Sequence, residues 1–344
     1  MLGHDRMVDE RLDTVTRLSI SVVVPMYDCA RDIDRCIASV LAQTRRPDRV
    51  ILVDDGCTDD TPELAVAALE CGDLEYELIR HQNNRGAGAA RNTGLGAVRE
   101  DLVWFLDSDD YAAESFLEVL TDALGDAAFA ECRTLRVSHD GLALGVDEPV
   151  FGRERVSGTE HARMLLTGRA RAYPPTKVFR RSVLGTAPWD EGRCYEDAVP
   201  VLRMSLASAA VALVDEPLYR YRTRPGSAST TFGAPTLDLF DVSTEVAMLV
   251  RSVSGAEIDE SDLLRFELHE IIFPVVHMAM RARHGGRADG PTDELAAEAI
   301  RRARARLRLR TVYATVRSGR WRDVVTMSML KMCPALYAFV LRYR

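Results

Sequence analysis

Short apolar runs alternate with segments of helical periodicity through the first 125 residues, and this alternation restricts the possible folds more than any other feature of the chain. Ser19 to Pro25, Ser-Ile-Ser-Val-Val-Val-Pro, has the β-branched density of a buried parallel strand and is stopped by proline. Ile33, Cys36, Ile37, Val40 and Leu41 then recur at helical spacing between Ala30 and Thr44. A second apolar strand, Arg49 to Val53, ends in Asp54-Asp55-Gly56, and Thr61-Pro62 opens a helix that runs to about Cys71. Glu75 to Arg80 is a third strand, Ala87 to Val98 a helix rich in small residues, and 102–106 a fourth strand. Strand alternating with helix this regularly specifies an α/β fold, a mostly parallel sheet with helices on both faces. Such sheets bind ligands beyond the carboxyl ends of their strands. Tyr27, the Asp54/Asp55 pair and the Asp107/Asp109 pair all sit there and are expected to share one crevice.

The fourth strand runs straight into carboxylates, Val103-Trp-Phe-Leu-Asp-Ser-Asp-Asp110. Carboxylates this close repel one another unless something neutralises them. A hard divalent cation does so through oxygen ligands, usually shared with substrate phosphates. The competing reading is an acidic cap for the following helix, Phe116 to Leu124.

Beyond that helix the pattern loosens. Strands are expected near 128–138 and 144–151, a helix over Thr159–Thr167, and a basic, proline-interrupted stretch over Arg171–Arg181. A helix follows from Tyr195 to Ala207, then strands at Val211–Val214 and Leu218–Tyr221. From about Pro235 only helical periodicity remains. The expected organisation is a flexible N-terminus (1–18), a catalytic unit (19–232) and a helical C-terminal region (233–344). No run of eighteen apolar residues exists, and Met1 to Arg17 has no apolar core of a secretory signal. Seven cysteines without a Cys-x-x-Cys pair argue against a zinc ribbon or disulfide framework and for a cytoplasmic, reducing compartment.

The net charge of −8 conceals an asymmetry. Ala299 to Arg344 carries twelve Lys/Arg and one Asp, a net of +11, which leaves −19 on the rest. Trp321, Met327, Met329, Leu330, Leu336, Tyr337 and Phe339 are interleaved there. The tail has no recognisable nucleic-acid reader motif. A peripheral contact with an anionic membrane surface competes with packing of the same stripe as core or against a second copy of the chain.

Four motifs in order, Val22-Val-Val-Pro-Met-Tyr-Asp28, Val53-Asp-Asp-Gly-Cys-Thr-Asp59, an Asn-x-Gly-x-Gly-x-Ala-x-Asn run from Asn84 to Asn92, and Phe105-Leu-Asp-Ser-Asp-Asp110, resemble the family 2 glycosyltransferases. The resemblance covers about residues 19–225 and extends to Tyr195-Glu196-Asp197 and to Pro217-Leu-Tyr-Arg-Tyr-Arg222. It implies the GT-A fold and inverting transfer from a nucleotide-sugar, most commonly a UDP-sugar, to a glycan or lipid-linked acceptor of the bacterial cell-surface type. On that resemblance Tyr27 stacks on the base, and Asp55 with Asp54 accepts hydrogen bonds from uracil or ribose. Pro25 and Ser108 join the donor-binding set, Asp107 and Asp109 hold Mn²⁺ or Mg²⁺, and Arg91 adds a cation near the phosphates. Asp197, with Glu196 beside it, takes the acceptor proton.

Trp189 is read either as a stacking platform for an acceptor sugar or as core, and Lys177 as a contact for an anionic acceptor or as solvated surface. The chain departs from the family pattern at Asp28, where Asn is common, and at Cys57, where Ser is. A dinucleotide-dependent oxidoreductase is disfavoured, because Arg91 replaces the third glycine after Gly86-Ala-Gly88 and the motif follows the third strand. A sugar-phosphate nucleotidyltransferase would need a Gly-rich basic loop where Met26-Tyr-Asp-Cys29 stands. An inactive, scaffold-like relative is opposed by the carboxylates at 55, 107, 109 and 197.

Overall fold

Strand β1 (Ile20–Met26) is buried along its whole length and lies between two parallel neighbours, β2 (Arg49–Asp54) and β4 (Leu102–Phe105). Its continuous apolar sequence follows, since a central parallel strand is covered on both faces. Val22 and Val24 pack toward α1 (Ile33–Leu41), α2 (Thr61–Cys71) and α4 (Phe116–Leu124). Val23 points the other way, toward α3 (Ala87–Ala97), α5 (Gly158–Leu166) and α6 (Ala198–Ala207). The computed structural model describes residues 17–223, 231–253, 258–284, 290–308, 313, 315–316, 319–333 and 337. The expectation of a flexible segment over 1–18 therefore falls almost wholly outside the described residues.

The remaining strands are β3 (Tyr76–Arg80), β5 (Tyr111–Ala112), β6 (Phe129–Val137), β7 (Ala143–Val146), β8 (Arg155–Val156), β9 (Lys177–Arg180) and β10 (Val211–Arg222). Among the described residues they form one ten-stranded sheet in the order β3-β2-β1-β4-β9-β6-β10-β5, with β7 on β6 and β8 on β10. The first four strands in that order are parallel, and β9 enters antiparallel to both β4 and β6. This is the GT-A architecture, with the crevice beyond the carboxyl ends of β1, β2 and β4.

Several elements differ from the sequence expectation. The strands at 211–214 and 218–221 are one strand, β10, with a register shift between Val214 and Tyr219. The polar Asp215-Glu216-Pro217 insert looks like a break in sequence and is accommodated as a bulge. Strand β9 replaces the basic irregular stretch, because Lys177 turns into the interior and finds Glu131 there. The expected strand at 144–151 stops at Val146; Glu148 folds inward to accept from the Thr134 N–H (2.7 Å) and hydroxyl (2.9 Å). Helix α6 begins after Asp197, which serves as its N-terminal flanking residue.

From Ala234 onward the described regular structure is helical: α7 (Asp238–Ser252), α8 (Glu260–Phe266), a π-helical turn (Glu267–Ile272), α9 (Phe273–His284), α10 (Gly290–Arg306) and α11 (Trp321–Met332). The apolar residues of the basic tail divide here. Met327, Leu330 and Tyr337 are buried with Ile272, Val275, Val276 and Ala299. Of the two readings of the tail, these three residues take that of core. Met329 is half-buried against the same cluster, and Leu336 and Phe339 lie outside the described residues. Leu330→Ala should accordingly cost about 2–5 kcal/mol, as large-to-small changes in a packed core do. The midpoint of urea unfolding checks this; an unchanged midpoint would mean that α11 contributes nothing to the core.

Candidate active site

Helix α3 organises the crevice because it is nearly bare of large side chains. Gly88 lets the 188–197 loop lie directly on the helix; a Cβ there would come within 2.0 Å of the Asp190 carbonyl oxygen. Asn92 locks the contact, donating to the Trp189 carbonyl at 2.8 Å and accepting from its N–H at 3.0 Å. Arg91 then reaches from the same face to Asp107 Oδ1 (2.8 Å) and Glu196 Oε1 (2.6 Å). One buried guanidinium thus ties the end of β4 to the segment that carries Asp197.

The opposite wall comes from the ends of β1 and β2. Gly56 (φ +78°) permits a tight turn against Asn83 and Asn84, where a Cβ would meet backbone at 2.8 Å. Asp28 (φ +43°) holds the turn after Tyr27 in the left-handed region, which Asp tolerates as Asn does. The Asp-for-Asn departure therefore keeps the backbone, and the Asp28 carboxylate accepts from the Thr58 N–H at 2.7 Å. Tyr195 (φ +61°) adopts the same unfavourable region immediately before Glu196 and Asp197. Strained backbone of this kind gathers at functional sites.

The resulting cleft encloses about 850 Å³ and is lined by Pro25, Tyr27, Asp55, Arg91, Asp107, Ser108, Asp109, Glu196 and Asp197. Its far side is formed by Arg171, Tyr173, Tyr195, Tyr221, Glu270, Pro274 and Met278. Tyr27 leaves half its surface open, 49%. Burial pushes the Asp197 carboxyl up to about 7, with Glu196 adding repulsion and Arg91 opposing it. Asp110 is pushed well up by burial and by Asp109 and Asp107, and it turns away to accept from the Tyr219 hydroxyl and from the Arg222 N–H at 2.7 Å. The third carboxylate of the cluster is thus structural.

Four sequence expectations need correction. Asp54 does not line the cleft; it accepts from the Cys57 N–H (2.8 Å) and Arg80 (2.9 Å) and builds the turn after β2. Arg91 is not a free cation for phosphates, because Asp107 and Glu196 both engage it. Trp189 is 2% exposed and packs edge-on against Phe105 (5.1 Å, 83°), so it is core and no sugar platform. Lys177 is fully buried; its Nζ donates to the carbonyls of Arg171 (2.6 Å) and Tyr173 (3.0 Å) and lies 3.4 Å from Glu131. A charge satisfied this completely inside the protein has no reason to meet an acceptor.

Asp55 does face the cleft, yet its oxygens take the N–H groups of Arg85 (2.9 Å) and Gly86 (2.8 Å) and contact His81 Nδ1 at 2.6 Å. It fixes the 81–86 loop. The expectations missed Arg171, Tyr173, Tyr221 and the Arg171–Glu270 pair (3.1 Å), which ties the cleft to the π-helical turn. Tyr221 sat inside a noted motif; Glu270, about 100 residues downstream of its partner, left no signal in the sequence.

Comparison with known proteins bears on the fold and the family. Residues 21–186 match the family model described as Glycosyl transferase family 2, and this segment is similar to that family. The glycosyltransferase GlyG of Streptococcus pneumoniae is 25% identical over 221 residues, spanning 62% of this chain and 73% of GlyG. The uncharacterized glycosyltransferase EpsJ of Bacillus subtilis is 30% identical over 226 residues, 64% of this chain and 65% of EpsJ. The chain spans 60% of the putative glycosyltransferase EpsH and 31% of GlyA. In fold it is similar to residues 1–349 of S. aureus TarS, solved in complex with UDP-GlcNAc, with a TM-score of 0.65 at 19% identity over 91% of this chain and 90% of that one.

Proposed function

We propose that the protein transfers a sugar from a nucleotide-sugar, a UDP-sugar by preference, to a hydroxyl of a glycan or lipid-linked acceptor, inverting the anomeric centre. The observation that carries the proposal is the meeting, in one cleft, of an open aromatic face (Tyr27), two carboxylates at the end of β4 (Asp107, Asp109) and a carboxyl raised to about 7 (Asp197). That TarS binds UDP-GlcNAc within a similar fold supports the choice of donor. Tyr27 offers a stacking surface for the base. The loop fixed by Asp55, with Pro25 and Ser108, closes the nucleotide side.

Asp107 and Asp109 suit Mg²⁺ or Mn²⁺. Arg91 occupies one Asp107 oxygen and leaves the other, and both residues are part-exposed in the cleft. Two carboxylates completed by substrate phosphates is the usual protein share for such ions. When bound, the ion supplies Lewis-acid stabilisation to the departing diphosphate. The grouping of Asp28, Cys57 and Asp59 is a poorer candidate: Asp28 is engaged by Thr58, and Asp59 by the N–H groups of Ala30 and Thr61.

In the reaction the acceptor oxygen forms a bond to C1 as the bond from C1 to the phosphate oxygen breaks. Asp197 accepts the acceptor's proton, and the electron pair leaves with the nucleoside diphosphate. Arg91 keeps Glu196 and Asp107 in register on either side of the reacting centre. We place this chemistry in the cytoplasm: all seven cysteines are unpaired, which suits a reducing compartment. Slow hydrolysis of a panel of sugar nucleotides with Mn²⁺ tests the proposal. Turnover of one UDP-sugar well above the others is expected, and absence of both binding and hydrolysis across the panel would refute it.

A further inference from the structure

Helix α11 is apolar on two opposite faces, and only one of them is packed. Met327 and Leu330 point into the C-terminal core, together with Asp323, which is held by His269 (3.1 Å). On the other side Trp321, Val325 and Met332 are 63%, 56% and 84% exposed. At 3.6 residues per turn Trp321, Val325, Ser328 and Met332 fall within about 60° of arc, diametrically opposed to the buried face. Arg322 lies about 100° to one side of Trp321 and Lys331 about 80° to the other, and both are exposed.

We propose that this outer face of α11 lies in the interface of an anionic lipid membrane, with the stripe at the acyl boundary and the flanking cations at the headgroups. Charge complementarity selects the occupant. Arg322 and Lys331 flank the stripe and Arg304 lies beside Lys331, whereas Arg301 and Arg302 are answered by Glu298 and Arg306 by Glu267, and the one acid of the helix, Asp323, pairs with His269 on the buried side. Arg304 and Lys331 are neighbours, each donating to the other's backbone carbonyl at 2.8 Å, so α10 brings Arg304 to the same end of α11. A second copy docking through this same face would present the same positive field and be repelled. A neutral protein surface would leave the cations unanswered. No helix among the described residues is long and apolar enough to cross a membrane, whereas a basic amphipathic helix lies along one. The inference stands independently of the proposed reaction.

The full chain tests it with vesicles of phosphatidylcholine alone or mixed with phosphatidylglycerol. Trp104 and Trp189 are buried, so iodide-accessible tryptophan emission reports Trp321. Co-sedimentation with the anionic vesicles only is expected, weakening as salt rises, together with protection of that emission from iodide. Arg322→Glu/Lys331→Glu should lower the partition coefficient by at least about thirtyfold. Trp321→Ser/Val325→Ser/Met332→Ser should abolish binding while sugar-nucleotide hydrolysis continues. Failure of the unaltered chain to bind anionic vesicles, or full binding by the triple variant, would overturn the inference. A dimer that the triple variant converts to monomer would assign the face to a second copy and overturn it equally.

Discussion

Asp109→Ala should lose sugar transfer by at least about 10³-fold, the scale of several kcal/mol of leaving-group stabilisation. Mn²⁺-dependent nucleotide affinity should go with it. The fold should survive, because Asp109 is a part-exposed residue on the wall of the cleft, whereas Asp110 beside it is buried and hydrogen-bonded by Tyr219 and Arg222. Removing Asp109 also relieves repulsion on Asp110, so the urea midpoint should hold or rise slightly. Calorimetric titration of the variant with UDP, with and without Mn²⁺, separates metal from nucleotide binding. Undiminished transfer by the variant, or by the unaltered enzyme in excess chelator, would remove the metal from the reaction.

Asp197→Asn separates chemistry from binding. A general base is worth about 10²–10⁴-fold, and the loss should fall in kcat with the donor KM little changed, since the proposed role of Asp197 is toward the acceptor hydroxyl and not the nucleotide. The pH profile carries a second signature. Burial raises the Asp197 carboxyl to about 7, so the deprotonated base accumulates only as pH rises through neutrality. The rate of the unaltered enzyme should therefore climb between about pH 6 and 8 and then level, and Asp197→Asn should flatten that limb. A loss smaller than tenfold with the limb intact would make Asp197 structural and transfer the role to Glu196, the adjacent carboxylate that also lines the cleft.

Local sequence determined the parallel, N-terminal part of the sheet. Strand β1 is a β-branched run ended by proline, α2 has its proline at the first turn, and both strand-end carboxylate pairs could be placed from those boundaries alone. Parallel strands put their carboxyl ends on one edge whatever else the chain does, so the convergence of Tyr27, Asp55, Asp107 and Asp109 follows from strand order. The Asn84–Asn92 run was legible as a motif, but its purpose was not. Small residues at 86, 88, 89 and 90 resemble a phosphate-binding turn until the 188–197 loop is seen resting on them.

Tertiary structure decided the fate of the charges and of the tail. Asp54, Arg91 and Lys177 belong to residue types that usually stay in water, and each is buried here because a partner far along the chain satisfies it: Arg80, Glu196 and Glu131. A composition scale has no access to such pairings. The same limit applies to α11. Its sequence offers apolar residues all round, and nothing local distinguishes Met327 from Trp321; only the position of α9 and α10 draws the first into the core and leaves the second outside. Periodicity is a property of one helix, whereas burial requires a second surface to lie against it.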